Sequence, residues 1–365
     1  MNDRPDSIFA PIPELVPRYA QLGAPFVRPV AATPLPAPTL LHYNAELADA
    51  LSVGHLLAAP EAANIFSGNR PWPGYAPVAS VYAGHQFGVY VPQLGDGRAL
   101  MIAELKDRDD RRMELQLKGA GMTPYSRGAD GRAVLRSSIR EYLCSEAMHA
   151  LGVPTTRCLS LVGSGARVYR ERIEAPAVVW RGRPGFRGLG HLEFFFSRGE
   201  YAYLAPLADH VIAEHFPELV AATDRYARWL REIVVRTARL MAHWQAIGFC
   251  HGVMNTDNFS ILGLTLDYGP FGFMDAFDSR HICNHSDGEG RYAYEMQPEI
   301  GQWNCARLLQ ATLPLLSDDP EQAVEMAQQI YAEYAPAYAV AVMRHWRAKL
   351  GLRETRDDDE ALIND

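Results

Sequence analysis

The chain has 365 residues, enough for two or three lobes around a sizeable core, and its 48% hydrophobic and 21% charged content is that of an ordinary globular protein. Its formal charge of −8, from 35 Lys and Arg against 43 Asp and Glu, excludes a surface built as a whole for nucleic acid or anionic membrane. No apolar run approaches the roughly 20 residues of a membrane-spanning helix, no basic-then-apolar leader opens the chain, and five scattered cysteines without a CxxC pair predict reduced thiols in a cytoplasmic protein.

Residues 1–45 are rich in proline (Pro5, Pro11, Pro13, Pro17), which fixes φ and removes a donor, so they predict an extended arm wrapped over the body. Residues 46–195 are expected to form an N-lobe. Within it, 99–105 (ALMIAEL) and 114–118 (ELQLK) read as strands; Leu115 and Leu117 alternate with Glu114, Gln116 and Lys118, turning Lys118 away from the core face. A helix is predicted over 133–151, with Leu135, Ile139, Tyr142, Leu143, Ala147 and Leu151 on its apolar stripe and Gly152 and Pro154 ending it. Residues 168–174 and 177–181 read as two more strands, so this part is α+β with a mainly antiparallel sheet.

Residues 196–365 are expected to form a helical C-lobe. From Thr223 or Asp224, an apolar stripe running from Tyr226 through Trp229, Ile233 and Leu240 to Trp244 repeats at helical spacing, and Gly248 stands where a C-terminal glycine belongs. A polar loop (HGVMNTDN, 251–258), a short strand pair (259–267) and helices over about 299–316 and 320–349 follow. A β-rich lobe, then a helical lobe, with a polar loop between, is the protein-kinase layout.

Moving a group from ATP requires fixed positive charge and backbone N–H groups for the phosphates, hard oxygen ligands for a metal, and a base near the acceptor hydroxyl. Lys118 ends a strand, and Glu141 lies on the polar stripe of the next helix with Ser138 and Ser145, a spacing that suits an ammonium held by a carboxylate. Two glycine-rich stretches, 94–98 (LGDGR) and 119–133, allow close approach of backbone amides and carry Arg98, Arg127 and Arg132, with Arg136 just beyond; turn chemistry explains them equally well. In 251–258, followed by Asp267-Tyr268-Gly269, Asp257 is placed to accept a hydroxyl proton, and Asn258 and Asp267 to ligate Mg²⁺ or Mn²⁺. His281, Cys283 and His285 alternate too closely for a zinc knuckle and read as structural.

With these residues in view, the chain resembles the selenoprotein O (YdiU) family of protein adenylyltransferases from about residue 40 to its C-terminus. The likeness rests on YAGHQFGVYVPQLGDGRA, ELQLKGAGMTPYSRGADGRAVLRSSIREYLCSEAM, HGVMNTDNFSILGLTLDYGPFGFMD and ICNHSDGEGRYAYEMQPEIGQWN. The resemblance implies a kinase-like bilobal fold binding ATP reversed relative to ordinary kinases, so that AMP (or UMP from UTP) passes to Ser, Thr or Tyr of target proteins. It implies nucleotide contacts at Gly95, Gly97, Arg98, Lys118, Asp130, Gly131 and Arg181, with Asp257 as proton acceptor and Asn258 and Asp267 as metal ligands. No nucleic acid or membrane partner is expected.

The text departs from the family pattern in two places. A second phosphate-binding arginine belongs seven residues after Arg181, where Gly188 stands; Arg187, one place early, or Arg183 is expected to replace it. Family members also continue past RETRDDDEALIND, so a truncated C-terminus with an exposed apolar face is expected. Two other activities fit the same residues: γ-phosphoryl transfer of the kinase type, and ATP binding without catalysis.

Overall fold

The computed structural model describes residues 18–72, 76–356 and 358–364; residues 1–17 of the expected proline-rich arm and Asp357 of the acidic run near the end lie outside them. The chain divides into two compact units, one comprising Met1–Tyr82, Gln93–Leu151 and Thr155–Phe186, the other Ala83–Pro92, Gly152–Pro154 and Arg187–Asp365.

The first unit begins with β1 (Val27–Pro29) and β2 (Thr39–Tyr43), followed by three short helices, α1 (Ala45–Ala50), α2 (Gly54–Leu57) and α3 (Ala62–Phe66), and β3 (Val78–Ser80). The hairpin β4 (Gly84–Gln86) and β5 (Val89–Val91) belongs to the second unit. The first unit resumes with β6 (Ala99–Lys106), β7 (Arg112–Lys118), β8 (Ala133–Val134), α4 (Leu135–Ala150), β9 (Arg157–Gly163), β10 (Val168–Tyr169), β11 (Ile173–Glu174) and β12 (Pro176–Arg183). An eight-stranded antiparallel sheet runs β1-β3-β6-β7-β12-β9-β2, with β8 paired to β12. Residues 27–29 and 39–43, within the segment expected as an arm, are extended and form its two outer strands.

The two faces of this sheet differ in chemistry. Leu115 and Leu117 of β7 join Leu100, Ile102, Val178 and Trp180 in a core closed by α3, where Phe66 meets Trp180 edge-on at 4.6 Å. The opposite face carries Gln116, Lys118, Arg181 and Arg183, all buried. Lys118 therefore does turn from the apolar core, but into a second buried layer. That layer corrects the expectation for α4. The helix buries Ser138, Glu141, Tyr142, Cys144, Ser145 and Met148, whereas Ile139, Leu143 and Leu151 are exposed. The cause is electrostatic: cations on the sheet need a carboxylate, and in a low-dielectric layer an unpaired charge costs more than a few exposed aliphatic side chains.

The sequence reading places no strand at 157–163, yet β9 lies between β12 and β2; six of its seven residues are buried, so no polar alternation marks it. The strand expected over 168–174 is instead a two-stranded hairpin, Val168 facing Glu174 and Tyr169 facing Ile173.

In the second unit, α5 (Gly190–Ser197) and α6 (Leu204–His215) precede α7 (Arg225–Ala246), which buries Trp229, Leu230, Ile233, Val234, Leu240, Met241 and Trp244 as the helical spacing requires. β13 (Phe249–Cys250) pairs with β14 (Gly272–Phe273), and the strand pair expected over 259–267 reduces to a single bridge between Phe259 and Thr265. The chain then forms α8 (Gln297–Ala311), α9 (Leu313–Leu316), α10 (Pro320–Tyr331), α11 (Tyr334–Leu350) and α12 (Asp359–Asn364), so the long helix expected over 320–349 is broken near residue 332. No helix among the described residues is long and apolar enough to cross a membrane.

Candidate active site

In the first unit, the Lys118 ammonium lies 2.6 Å from Glu141 Oε2, and the other carboxylate oxygen, Oε1, accepts from Arg181 Nη1 at 2.7 Å. Arg181 also donates through Nη2 to the Gln116 side-chain oxygen. One carboxylate thus serves two cations, and all three residues are less than a tenth exposed. The register explains the meeting: Arg181 stands opposite Gln116, and Val179 opposite Lys118, so both cations emerge on the face against which α4 packs.

The glycine-rich stretches are fastened to one another. Thr123 Oγ1 donates to Asp96 O at 2.7 Å, Ser126 Oγ donates to Gly97 O, and Asp96 Oδ2 accepts from Ser80 N at 2.9 Å. Gly95, at φ +143°, is the close approach that makes this possible, since a Cβ there would stand 2.4 Å from the Tyr125 ring. Arg98 is exposed beside it. At the far end of the second stretch, a Cβ on Gly131 would lie 2.0 Å from Gly121 O. Asp130 is held by both Arg170 Nη atoms at 2.8 Å each, and this guanidinium is the main cause that holds its carboxyl below the usual range.

In the second unit, the expected catalytic loop is wedged between backbone segments. A Cβ on Gly84 would stand 3.0 Å from Asp257 Oδ1; one on Gly188, 3.0 Å from the Asp257 and Phe259 carbonyl oxygens; one on Gly190, 2.1 Å from Ala83 O and 3.4 Å from Asp257 Cα. A Cβ at position 188 would therefore press on both carbonyl oxygens, so a side chain there requires this backbone to give by a few tenths of an ångström. Arg187 is buried, and its carbonyl accepts from Ile261 N at 3.2 Å. In the first unit, the Arg183 guanidinium lies 3.7 Å over the Phe186 ring.

Asp257 Oδ1 is buried and has no hydrogen-bond partner among the described residues. Burial pushes this carboxyl up to about 7; nearby Glu193 and Asp267 add to the shift, while the Asp257 backbone N–H and the Gln86 side chain oppose it. Asn258 donates its amide N–H to Val253 O at 3.0 Å, leaving Oδ1 as a lone-pair donor. His251 stacks on Trp244 at 5.1 Å, and its Nδ1 accepts from Val253 N at 3.3 Å. Burial lowers this imidazole to about 4 against the opposing charge of Asp267. Among the described residues, no three or more His, Cys, Asp or Glu gather as a ready metal cage.

Several residues around Asp257 had no assigned role in the sequence. His85 Nδ1 is 3.0 Å from Glu193 Oε1, Glu193 Oε2 accepts from Thr256 Oγ1 at 2.6 Å, and Thr256 Oγ1 accepts from His85 N at 2.7 Å. Asn255 Oδ1 accepts from Tyr292 Oη at 2.8 Å and from Phe87 N at 3.3 Å. The local signal is the polar His85-Gln86 pair set between glycines; the partners of His85 lie 108 and 171 residues away along the chain.

The shifts at His251 and Asp257 act oppositely on the stability of the metal-free protein. His251 binds its proton more weakly folded than unfolded, so as pH falls from about 6.5 to 4 it removes at most about 3 kcal/mol. Asp257 binds its proton more tightly folded, so as pH falls from about 7 to 4 it adds at most about 4 kcal/mol. The two nearly cancel. In chelator, Asp257→Asn is expected to expose the His251 loss, its urea midpoint dropping more between pH 7 and 5 than that of the unsubstituted protein; equal drops would contradict the shifts.

A half-buried carboxylate of raised proton affinity beside oxygen donors, and a lysine clamped by a glutamate, are features of group-transfer enzymes. The chain belongs to the family described as Protein adenylyltransferase SelO, which it matches over residues 13–365. It is 64% identical over 351 residues to the Protein nucleotidyltransferase YdiU of Methylococcus capsulatus, covering 96% of this chain and 69% of the relative. Proteins of the same name from Burkholderia vietnamiensis (55% over 359 residues; 95% and 69% covered) and Myxococcus xanthus (54% over 348; 95% and 70%) are also similar.

Proposed function

We propose that this chain moves AMP from ATP, or UMP from UTP, onto Ser, Thr or Tyr hydroxyls of other proteins in the cytoplasm, and that its two units act as the lobes of a kinase-like enzyme. The observation that carries the reading is Asp257: a half-buried side chain whose buried Oδ1 has no partner, with proton affinity raised toward neutrality. Such a group is suited to taking a proton from an alcohol near pH 7.

Asn258 Oδ1 and the Asp267 carboxylate are hard oxygen donors that fit Mg²⁺ or Mn²⁺, ions that complete their shells with water and phosphate and so need few protein ligands. Bound there, the ion would neutralise charge on the phosphates. Lys118, held by Glu141, together with Arg181, supplies fixed positive charge for the nucleotide, and Gly95, Gly97, Arg98, Asp130 and Gly131 lie in or beside the loops that would contact it. Arg187, or failing it Arg183, stands in for the arginine replaced by Gly188.

The test is incubation with α-labelled and γ-labelled ATP plus Mg²⁺ or Mn²⁺. Protein-bound label from α-ATP alone is the expected result. Label from γ-ATP alone would make the chain a kinase, and no label with ATP retained would make it a binding protein.

A further inference from the structure

Glu193 is 4% exposed, and its hydrogen-bond partners among the described residues are the His85 imidazole and the Thr256 hydroxyl. A buried carboxylate of this kind is an expensive way to fill space; apolar side chains of similar volume usually serve stability as well or better. Its presence at this place in the fold points to a role beyond packing. One carboxylate oxygen lies 3.0 Å from His85 Nδ1, a contact that fixes the orientation of the imidazole. The second carboxylate oxygen takes the hydroxyl of Thr256, which is fully buried and immediately precedes Asp257. The Thr256 oxygen in turn takes the backbone N–H of His85, locking β4 against the loop at the point where Gly84 closes on Asp257 Oδ1.

We propose that Glu193 is a positioning residue for transfer, its carboxylate setting the Asp257 loop through the Thr256 hydroxyl and the His85 imidazole. This rests on the transferase reading given above. Glu193 touches no reacting atom; it acts through residues that hold the base, and a displacement of the base by about 1 Å costs on the order of 100-fold in rate.

The experiment uses the full chain with Glu193→Leu, Glu193→Gln, Thr256→Val and the Glu193→Leu/Thr256→Val double variant. It reads kcat for α-label transfer, KM for ATP, melting temperature, and amide exchange over residues 251–259. Glu193→Leu is expected to lower kcat ~100-fold with KM for ATP and melting temperature held, and to speed exchange in the loop. Glu193→Gln, whose side-chain oxygen can still accept from Thr256, is expected to recover most of the rate. The double variant is expected to lose less than the product of the two single losses, because both changes break the Glu193–Thr256 bond, while Thr256→Val also removes the acceptor for His85 N. A merely structural role would instead lower melting temperature and rate together. Unchanged kcat in Glu193→Leu, no recovery in Glu193→Gln, or losses that multiply in the double variant would overturn the proposal. If the unsubstituted chain transfers no label, the transferase reading fails, while loop exchange in Glu193→Leu still decides whether Glu193 holds the loop: unchanged exchange overturns the inference by itself.

Discussion

Asp257→Asn is expected to cut label transfer from α-ATP by about 10³-fold, the middle of the range for loss of a general base, while leaving ATP binding intact. The substitution keeps the size of the side chain and removes its ability to take a proton. Equal transfer by the variant would remove Asp257 from that role. The same variant should be more stable than the unsubstituted protein at pH 8 in chelator, because it no longer holds an ionised carboxylate with a buried, unpartnered oxygen near Glu193 and Asp267. Lost activity joined to gained stability is the signature of a group kept for chemistry.

Glu141→Ala is the substitution expected to harm the fold most. It leaves Lys118 and Arg181 buried together without the carboxylate that pairs with both, and removing one partner from a buried ion pair costs about 3–5 kcal/mol. The loss should appear as a lower urea midpoint with an unchanged slope. Lys118→Met, which leaves Arg181 paired with Glu141, is expected to be milder for stability and to weaken nucleotide binding on the proposed reading. A wild-type midpoint in Glu141→Ala would show that water reaches this layer and screens the cations.

The expected pairing of Lys118 with Glu141 and the geometry around it illustrate how far local text reaches. Strand alternation from Glu114 to Lys118 and helical spacing from Leu135 onward are short-range signals, and they placed both side chains on elements of the right kind. They did not reveal that Ile139, Leu143, Ala147 and Leu151 of the expected stripe would face outward while Tyr142 stays buried. Hydrophobic periodicity assumes that the buried surface is apolar, and here the surface beneath the helix carries cations from two neighbouring strands. The outward stripe at Ile139 and Leu143 is thus a consequence of Arg181, 40 residues away from Glu141 in the chain.

From the sequence by itself came the antiparallel α+β character, the long amphipathic α7, the family, the polar loop bearing Asp257 and Asn258, and Asp267 after it. Each is written in a periodicity or a contiguous motif, because side-chain direction repeats every two residues in a strand and every 3.6 in a helix. Tertiary structure alone decided which face of α4 is buried, the place of β9 within the sheet, the close approach of Gly188 to the Asp257 and Phe259 carbonyls, and the network joining Glu193 to His85 and Thr256. Those outcomes depend on charges and backbone atoms brought together from distant segments, and the free energy of such a meeting depends on the burial and the partners of both groups, which no local window contains.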